Sequence, residues 1–158
     1  MAFLTREEML QALQEFETED LEKALQAAQA SKLAREEQFY FLHYFLQEER
    51  IEDTENNQAV LTIPITDMTL NPIQMVHGGV TALLCDNAMG YASFLKAKRS
   101  GVTLNLNVQY HKPGLGKYLI AKADVIAEGS QMNGTRCEVR NETGTLVASA
   151  TATFYHRK

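Results

Sequence analysis

The stretch that most restricts how this chain can fold runs over residues 78–98. It contains no proline, and Val80, Ala82, Leu83, Leu84, Ala88, Met89, Tyr91, Ala92, Phe94 and Leu95 cover most of a helical surface. Such a pattern predicts one long helix that other structure wraps on most sides. Four strand candidates follow with no second long helix, at residues 102–111, 118–127, 135–141 and 145–155. Their connections are Lys112-Pro113-Gly114-Leu115-Gly116, residues 128–134, and Asn141-Glu142-Thr143-Gly144, which carry turn residues. Upstream, residues 59–66 alternate in the strand manner and lead into a loop over 67–76. The order β-α-β-β-β-β predicts an α+β fold, a largely antiparallel sheet curled around one central helix.

The front of the chain has a different period. Residues 5 to about 50 read as two or three short amphipathic helices, opening on a Thr5-x-x-Glu8 capping box, with Leu10, Leu13, Phe16, Leu21 and Leu25 at helical spacings. Residues 39–46, Phe-Tyr-Phe-Leu-His-Tyr-Phe-Leu, are apolar nearly all round and should be buried against the main body or another subunit. The clearest boundary falls near residue 57, giving an N-terminal helical extension (1–56) and a main domain (57–158). A chain of 158 residues that is 45% hydrophobic has enough apolar surface for one sizeable core.

Charge and cysteine usage exclude several classes. Residues 1–58 hold 14 acidic and 5 basic side chains (−9), and residues 59–158 hold 6 and 10 (+4), for a net charge of −5. An acidic front repels phosphate backbones, which argues against nucleic acid, while the mildly basic remainder suits a small phosphorylated ligand. Cys85 and Cys137 are far apart, with no CxxC or His-rich spacing, so they predict buried thiols and neither a disulfide framework nor a zinc site. With no leader-like start and no stretch of ~18 uncharged apolar residues, the chain is expected to remain in the cytoplasm.

Asp86 stands inside the most apolar helix, and an unpaired buried carboxylate costs several kcal/mol, so it requires a partner, an opening to solvent or a task. At the entry to the same helix lies His77-Gly78-Gly79, where backbone N–H groups of Gly78 or Gly79 and the positive end of the helix suit the oxygen of a polarised carbonyl. Eight residues separate Gly78 from Asp86, about 12 Å of helix at ~1.5 Å per residue, whereas both groups must reach one carbonyl carbon within ~3 Å. They serve one carbonyl only if they come from different subunits, in a dimer that sets two such helices antiparallel. Gly90, within the helix, predicts a close approach of a strand or partner helix.

Taken together, Asn71-x5-His77-Gly78-Gly79-x6-Asp86-Asn87, Gly101-Val102-Thr103-Leu104-Asn105 and Tyr110-x2-Pro113 resemble the hotdog-fold acyl-CoA thioesterases, specifically the phenylacetate-pathway type, over roughly residues 57–156. The resemblance implies hydrolysis of an acyl-CoA to a carboxylic acid and free coenzyme A, without metal or redox cofactor, by a cytoplasmic homodimer or dimer of dimers. It gives Gly78 N–H the carbonyl oxygen, Asn71 a supporting contact to substrate, Asp86 of the facing subunit the role of base or nucleophile, and Thr103 the orientation of water. His77 positions the loop and substrate or makes a helix-entry hydrogen bond, and Gly79 and Asn87 lie against the substrate. Two positions depart from the pattern. Thr103 stands where serine is frequent, and Gln74 where many relatives carry glycine. A basic set, Lys96, Lys98 and Arg99 with Lys112 and Lys117, suits the phosphates of coenzyme A or complements the helix dipole. Met75, Met89, Phe94 and Tyr110 are candidates for the acyl pocket.

Two other functions compete. A hotdog module that binds acyl-CoA as a sensor would use the helical extension to signal, although regulators of this type carry a DNA-binding front and a charge of −9 is wrong for one. Hydration or dehydration of an enoyl thioester resembles an Asp-x4-His pair, and no such histidine follows Asp86.

Overall fold

The computed structural model describes residues 4–53, 55–56 and 58–157. It falls into two compact units, Met1–Leu46 and Gln47–Lys158. The boundary expected at residue 57 lies outside the described residues.

The first unit is helical. Helix α1 (Arg6–Leu13) starts at the predicted capping box: the Thr5 hydroxyl accepts the Glu8 N–H and the Glu8 carboxylate accepts the Thr5 N–H. Helix α2 (Thr18–Glu36) and the short α3 (Phe41–Phe45) follow, tied by the Gln26 side-chain amide donating to the Phe45 carbonyl at 2.9 Å. The aromatic run packs on itself, Phe41 stacked on Phe45 at 5.2 Å and Phe39 edge-on to His43 at 4.9 Å. Phe39, Phe41 and Leu42 are 39%, 38% and 40% exposed.

In the second unit a six-stranded, wholly antiparallel sheet runs in the order β1-β2-β4-β5-β6-β3. Its strands are β1 (Glu49–Asp53), β2 (Gln58–Pro64), β3 (Gly101–Tyr110), β4 (Tyr118–Glu128), β5 (Met132–Asn141) and β6 (Leu146–His156). The curled sheet and its long helix form the hotdog fold. Strand β1 is the element that was missed. Its sequence, Glu-Arg-Ile-Glu-Asp, is too charged for a strand signal, and pairing with β2 (Ile51 opposite Val60) supplies what propensity does not.

Helix α4 (Gly78–Ala97) lies on the sheet. Thr81, Leu84, Cys85, Ala88, Met89, Ala92 and Ser93 form one buried stripe at the spacing of a helix face. The opposite flank, with Leu83, Asp86 and Gly90, is only half-buried, and Phe94 is 43% exposed. Within one chain the helix is therefore not wrapped on most sides; apolarity all round exceeds what one sheet can cover. Gly90 has the predicted role, since a Cβ there would stand 3.2 Å from the Phe154 ring. Met89 is fully buried in the core, which removes it from the candidates for a pocket wall. Cys85 and Cys137 are buried free thiols, and their mutual hydrogen bond together with burial holds the Cys137 thiol far above the ordinary range. Among the described residues no helix is long and apolar enough to cross a membrane.

Candidate active site

The site is built on the chain entering α4. Leu70 bridges Val76, closing a small loop in which Gln74 N–H donates to the Asn71 carbonyl at 3.0 Å and Asn71 N–H to the Met75 carbonyl at 2.8 Å. The Asn71 side-chain oxygen accepts from the N–H groups of Ile73 (3.1 Å) and Met75 (3.2 Å), which locks the amide. Its NH2 group has no acceptor among the described residues and is left as a donor. Gln74 has φ +59, a left-handed conformation that glycine adopts at no steric cost, in keeping with the glycine that the resemblance leads one to expect here.

His77 caps α4. Its Nδ1 accepts the Gly79 N–H at 2.9 Å, while its carbonyl takes the N–H groups of Val80 and Thr81. The Gly78 N–H has no acceptor among the described residues. The two glycines are thereby distinguished: Gly79 is spent on the cap, and Gly78 is the open donor at the positive end of the helix. A side chain at Gly79 would press on the cap, since a Cβ there would lie 3.2 Å from His77 Nδ1. Across the turn, the Tyr110 hydroxyl donates to the Gly78 carbonyl at 2.7 Å.

Two turns further along α4, Asp86 Oδ1 accepts the Thr103 hydroxyl at 2.9 Å, and its second oxygen has no partner among the described residues. A register shift in β3 between Thr103 and Asn105 makes this contact. Thr103 pairs with Phe154, then Leu104 is extra, and Leu106, Val108 and Tyr110 pair with Ala152, Ala150 and Ala148, three alanines buried on the helix side. Without the bulge Thr103 would share a face with Asn105, Asn107 and Gln109, away from α4.

The thioesterase superfamily model matches residues 74–148. The BH2602 protein of Bacillus halodurans, solved with CoA, superposes with a TM-score of 0.81 at 30% identity, over 92% of this chain and 98% of that one. The chain belongs to the thioesterase superfamily. Human acyl-coenzyme A thioesterase 13 is 29% identical over 94 residues, 58% of this chain and 67% of that protein. The medium/long-chain acyl-CoA thioesterase YigI of Escherichia coli K12 is 30% identical over 95 residues, 51% of this chain and 61% of that protein.

The superfamily match takes in His77, Gly78, Gly79, Asp86, Asn87, Thr103 and Tyr110, and Asn71 stands just ahead of it. Several other expected residues have partners within the chain. The Asn87 amide donates to Glu48 at 2.8 Å; Glu48 is buried, ion-paired to Arg50 at 2.7 Å, and Arg50 lies over the Tyr91 ring. That bond uses one of the two amide hydrogens of Asn87 and leaves its second hydrogen and its carbonyl oxygen for other contacts. Glu48 gave no signal in the sequence because it sits among unpaired-looking acidic residues.

The basic residues divide between the two ends of α4, some 30 Å apart at ~1.5 Å per residue. Lys96, Lys98 and Arg99 sit at its C-terminus, with Lys96 paired to Glu128 and Arg99 donating to the Ser130 carbonyl. Lys112 and Lys117 belong to the turn beside its N-terminus, where Val76 N–H donates to the Gly114 carbonyl at 3.0 Å. Beside Lys112 is a cavity of about 290 Å³ lined by Asn71, Met75, Val76, Tyr110, Pro113 and Val147, among others.

Proposed function

We propose that this member of the thioesterase superfamily hydrolyses acyl-CoA thioesters to a carboxylic acid and free coenzyme A, as a cytoplasmic homodimer whose two sites each draw on both subunits. One observation carries the reading: a free backbone N–H at the N-terminus of α4 and a carboxylate with one uncommitted oxygen eight residues along the same helix. Rigid helix keeps them about 12 Å apart within a chain, so an antiparallel second copy of α4 is what brings Gly78 of one chain to Asp86 of the other.

Support for that partner comes from the flank of the second unit. Strand β3 is an edge of the sheet with Val102 61% and Leu104 56% exposed, beside the half-covered face of α4 that carries Asp86 and Phe94. An apolar sheet edge of this length favours pairing with another strand. Pairing of dimers into a tetramer is compatible with the remaining apolar surface.

In the reaction, Gly78 N–H and the helix end hold the thioester carbonyl oxygen, with the free Asn71 amide as a second donor. Asp86 of the facing chain, oriented by Thr103, takes a proton from water as the water oxygen attacks the carbonyl carbon. The tetrahedral intermediate collapses by breaking the C–S bond, and the thiolate leaves to be protonated. The steps use side chains, backbone and water alone. Acyl group and pantetheine reach the carbon between subunits, with Met75 and Tyr110 in the cavity wall and Lys112 beside it for the phosphates. The BH2602 structure with CoA and the acyl-CoA thioesterase relatives support this substrate class.

The test is steady-state release of free thiol from a panel of acyl-CoA thioesters, with wild type, Asp86→Ala and Asp86→Asn at matched oligomeric state. Hydrolysis of at least one thioester, with loss of ~10²-fold or more in both variants, is expected. A wild type that binds acyl-CoA and releases no thiol from any member would instead favour a sensor.

A further inference from the structure

Two side chains other than Asp86 and Thr103 converge on one peptide group. The plane joining Gly78 to Gly79 is held at its N–H by His77 Nδ1 (2.9 Å) and at its carbonyl by the Tyr110 hydroxyl (2.7 Å). His77 comes from the loop before α4 and Tyr110 from the end of β3, so the plane is gripped from two separately anchored elements. It lies one residue beyond the Gly78 N–H, and its orientation fixes the ψ of Gly78. A glycine pair at a helix start has no side chain to restrict that rotation.

Solvation does not account for the tyrosine bond. Tyr110 is 55% exposed, and its hydroxyl would find water if it faced outward. The hydroxyl is instead turned onto a backbone carbonyl in the first turn of the helix, where position matters to the adjoining donor. Partial desolvation of the hydroxyl, and secondarily the neighbouring Cys85, pushes the phenol above its ordinary range. The glycine at 78 fits the same picture: a Cβ there would touch the Tyr110 hydroxyl at 3.4 Å, in contact with the group that grips it.

We infer that Tyr110 is a positioning residue, which together with His77 clamps the Gly78–Gly79 peptide and thereby aims the Gly78 N–H at the substrate carbonyl. This rests on the thioesterase reading and extends it, since the oxyanion donor is backbone and can be aimed only through the groups that hold the backbone. A donor that is loosened loses transition-state stabilisation more than ground-state binding.

The experiment compares Tyr110→Phe, His77→Ala, His77→Asn and the Tyr110→Phe/His77→Ala double variant in the intact oligomer. Tyr110→Phe keeps the ring in the cavity wall and removes only the donor. It is expected to lower kcat on the order of tenfold, with KM changed less than about twofold and an unaltered thermal transition. His77→Asn, whose side-chain oxygen also caps a helix, is expected to restore most of what His77→Ala loses. Because both side-chain bonds hold one peptide plane, the double variant is expected within about twofold of the worse single one. Wild-type kcat in Tyr110→Phe, a loss confined to KM, or losses that multiply in the double variant would each overturn the clamp. If wild type itself releases no thiol, the thioesterase reading fails, and the clamp is judged separately in 15N-glycine-labelled protein. There the Gly79 amide resonance is expected to move in both Tyr110→Phe and His77→Ala, and an unmoved resonance in Tyr110→Phe overturns it.

Discussion

Thr103 reaches Asp86 at 2.9 Å because β3 holds one residue more than β6 pairs with. Leu104 is that extra residue, and on either side of it the strand presents opposite alternations to the helix. The exposed Leu104 side chain and the inward Thr103 hydroxyl are two consequences of one bulge. A feature that costs ladder hydrogen bonds at a sheet edge here aims a hydroxyl at the proposed base.

Thr103 should therefore matter through its hydroxyl and not its shape. Thr103→Val keeps the branched side chain and removes the donor, and is expected to lower kcat by roughly tenfold while leaving thermal stability within ~1 kcal/mol. Thr103→Ser keeps the donor and should retain most activity. Equal kcat in wild type and Thr103→Val would remove the residue from the mechanism.

Gln74 is the second departure from the family pattern, and its φ of +59 gives the prediction a sign. A left-handed non-glycine residue costs about 1–2 kcal/mol, while glycine returns roughly 0.5–1 kcal/mol of that through the unfolded chain. Gln74→Gly is expected to hold or slightly raise the melting temperature with activity intact, and Gln74→Val to lower stability by more than ~1 kcal/mol. Calorimetry of the two variants checks it, and a Gln74→Gly protein markedly less stable than wild type would contradict it.

The fold was legible because its strongest signals are long-period ones. The α4 stripe, the four strands after it and the alternation at residues 59–66 all appear near where they were expected. Strand β1 escaped notice because its charged sequence becomes a strand only by pairing. The candidate site was legible as spacing but not as connection. Nothing in a one-dimensional pattern says that Gly79 is consumed by His77, that Asn87 is turned to Glu48, or that Tyr110 touches Gly78. The bulge at Leu104 is likewise invisible, because strict alternation puts Thr103 on the wrong face. Met89 looked like a pocket residue for the same reason it is core: it is a large apolar side chain on the stripe that faces the sheet.

Beyond the site, His156 forms the buried polar centre of the fold. Its Nδ1 faces only the carbonyls of Arg99 (3.1 Å) and Ser100 (3.3 Å), so that nitrogen carries the proton. Nε2 then accepts from the Ser93 hydroxyl at 2.9 Å, with the Asn133 amide at 3.3 Å. Gly101 leaves room for the ring, since a Cβ there would be 2.8 Å from it. His156→Ala strips partners from two buried side chains and leaves a cavity, at an expected cost of about 2–4 kcal/mol. Denaturant unfolding measures the loss, and activity below the transition should persist. A cost under ~1 kcal/mol would mean the cluster is not structurally important.

The shared site makes the most demanding prediction, and the geometry of His77 and Gly78 supplies the variant for it. Gly78 is the first residue of α4, where proline is tolerated, and His77 has φ −59 and ψ 133, the extended conformation required before a proline. Gly78→Pro should thus remove the N–H while keeping the helix, and Asp86→Asn should remove the base, each leaving a folded protein of low activity. In a mixed dimer one site carries both defects and the other neither, provided each site takes Gly78 from one chain and Asp86 from its partner. Random exchange of equal amounts gives half mixed dimers with one intact site each, so activity should return to about a quarter of wild type. If every site lay within one chain, no combination would be intact, and exchanged subunits would stay as inactive as the separate variants.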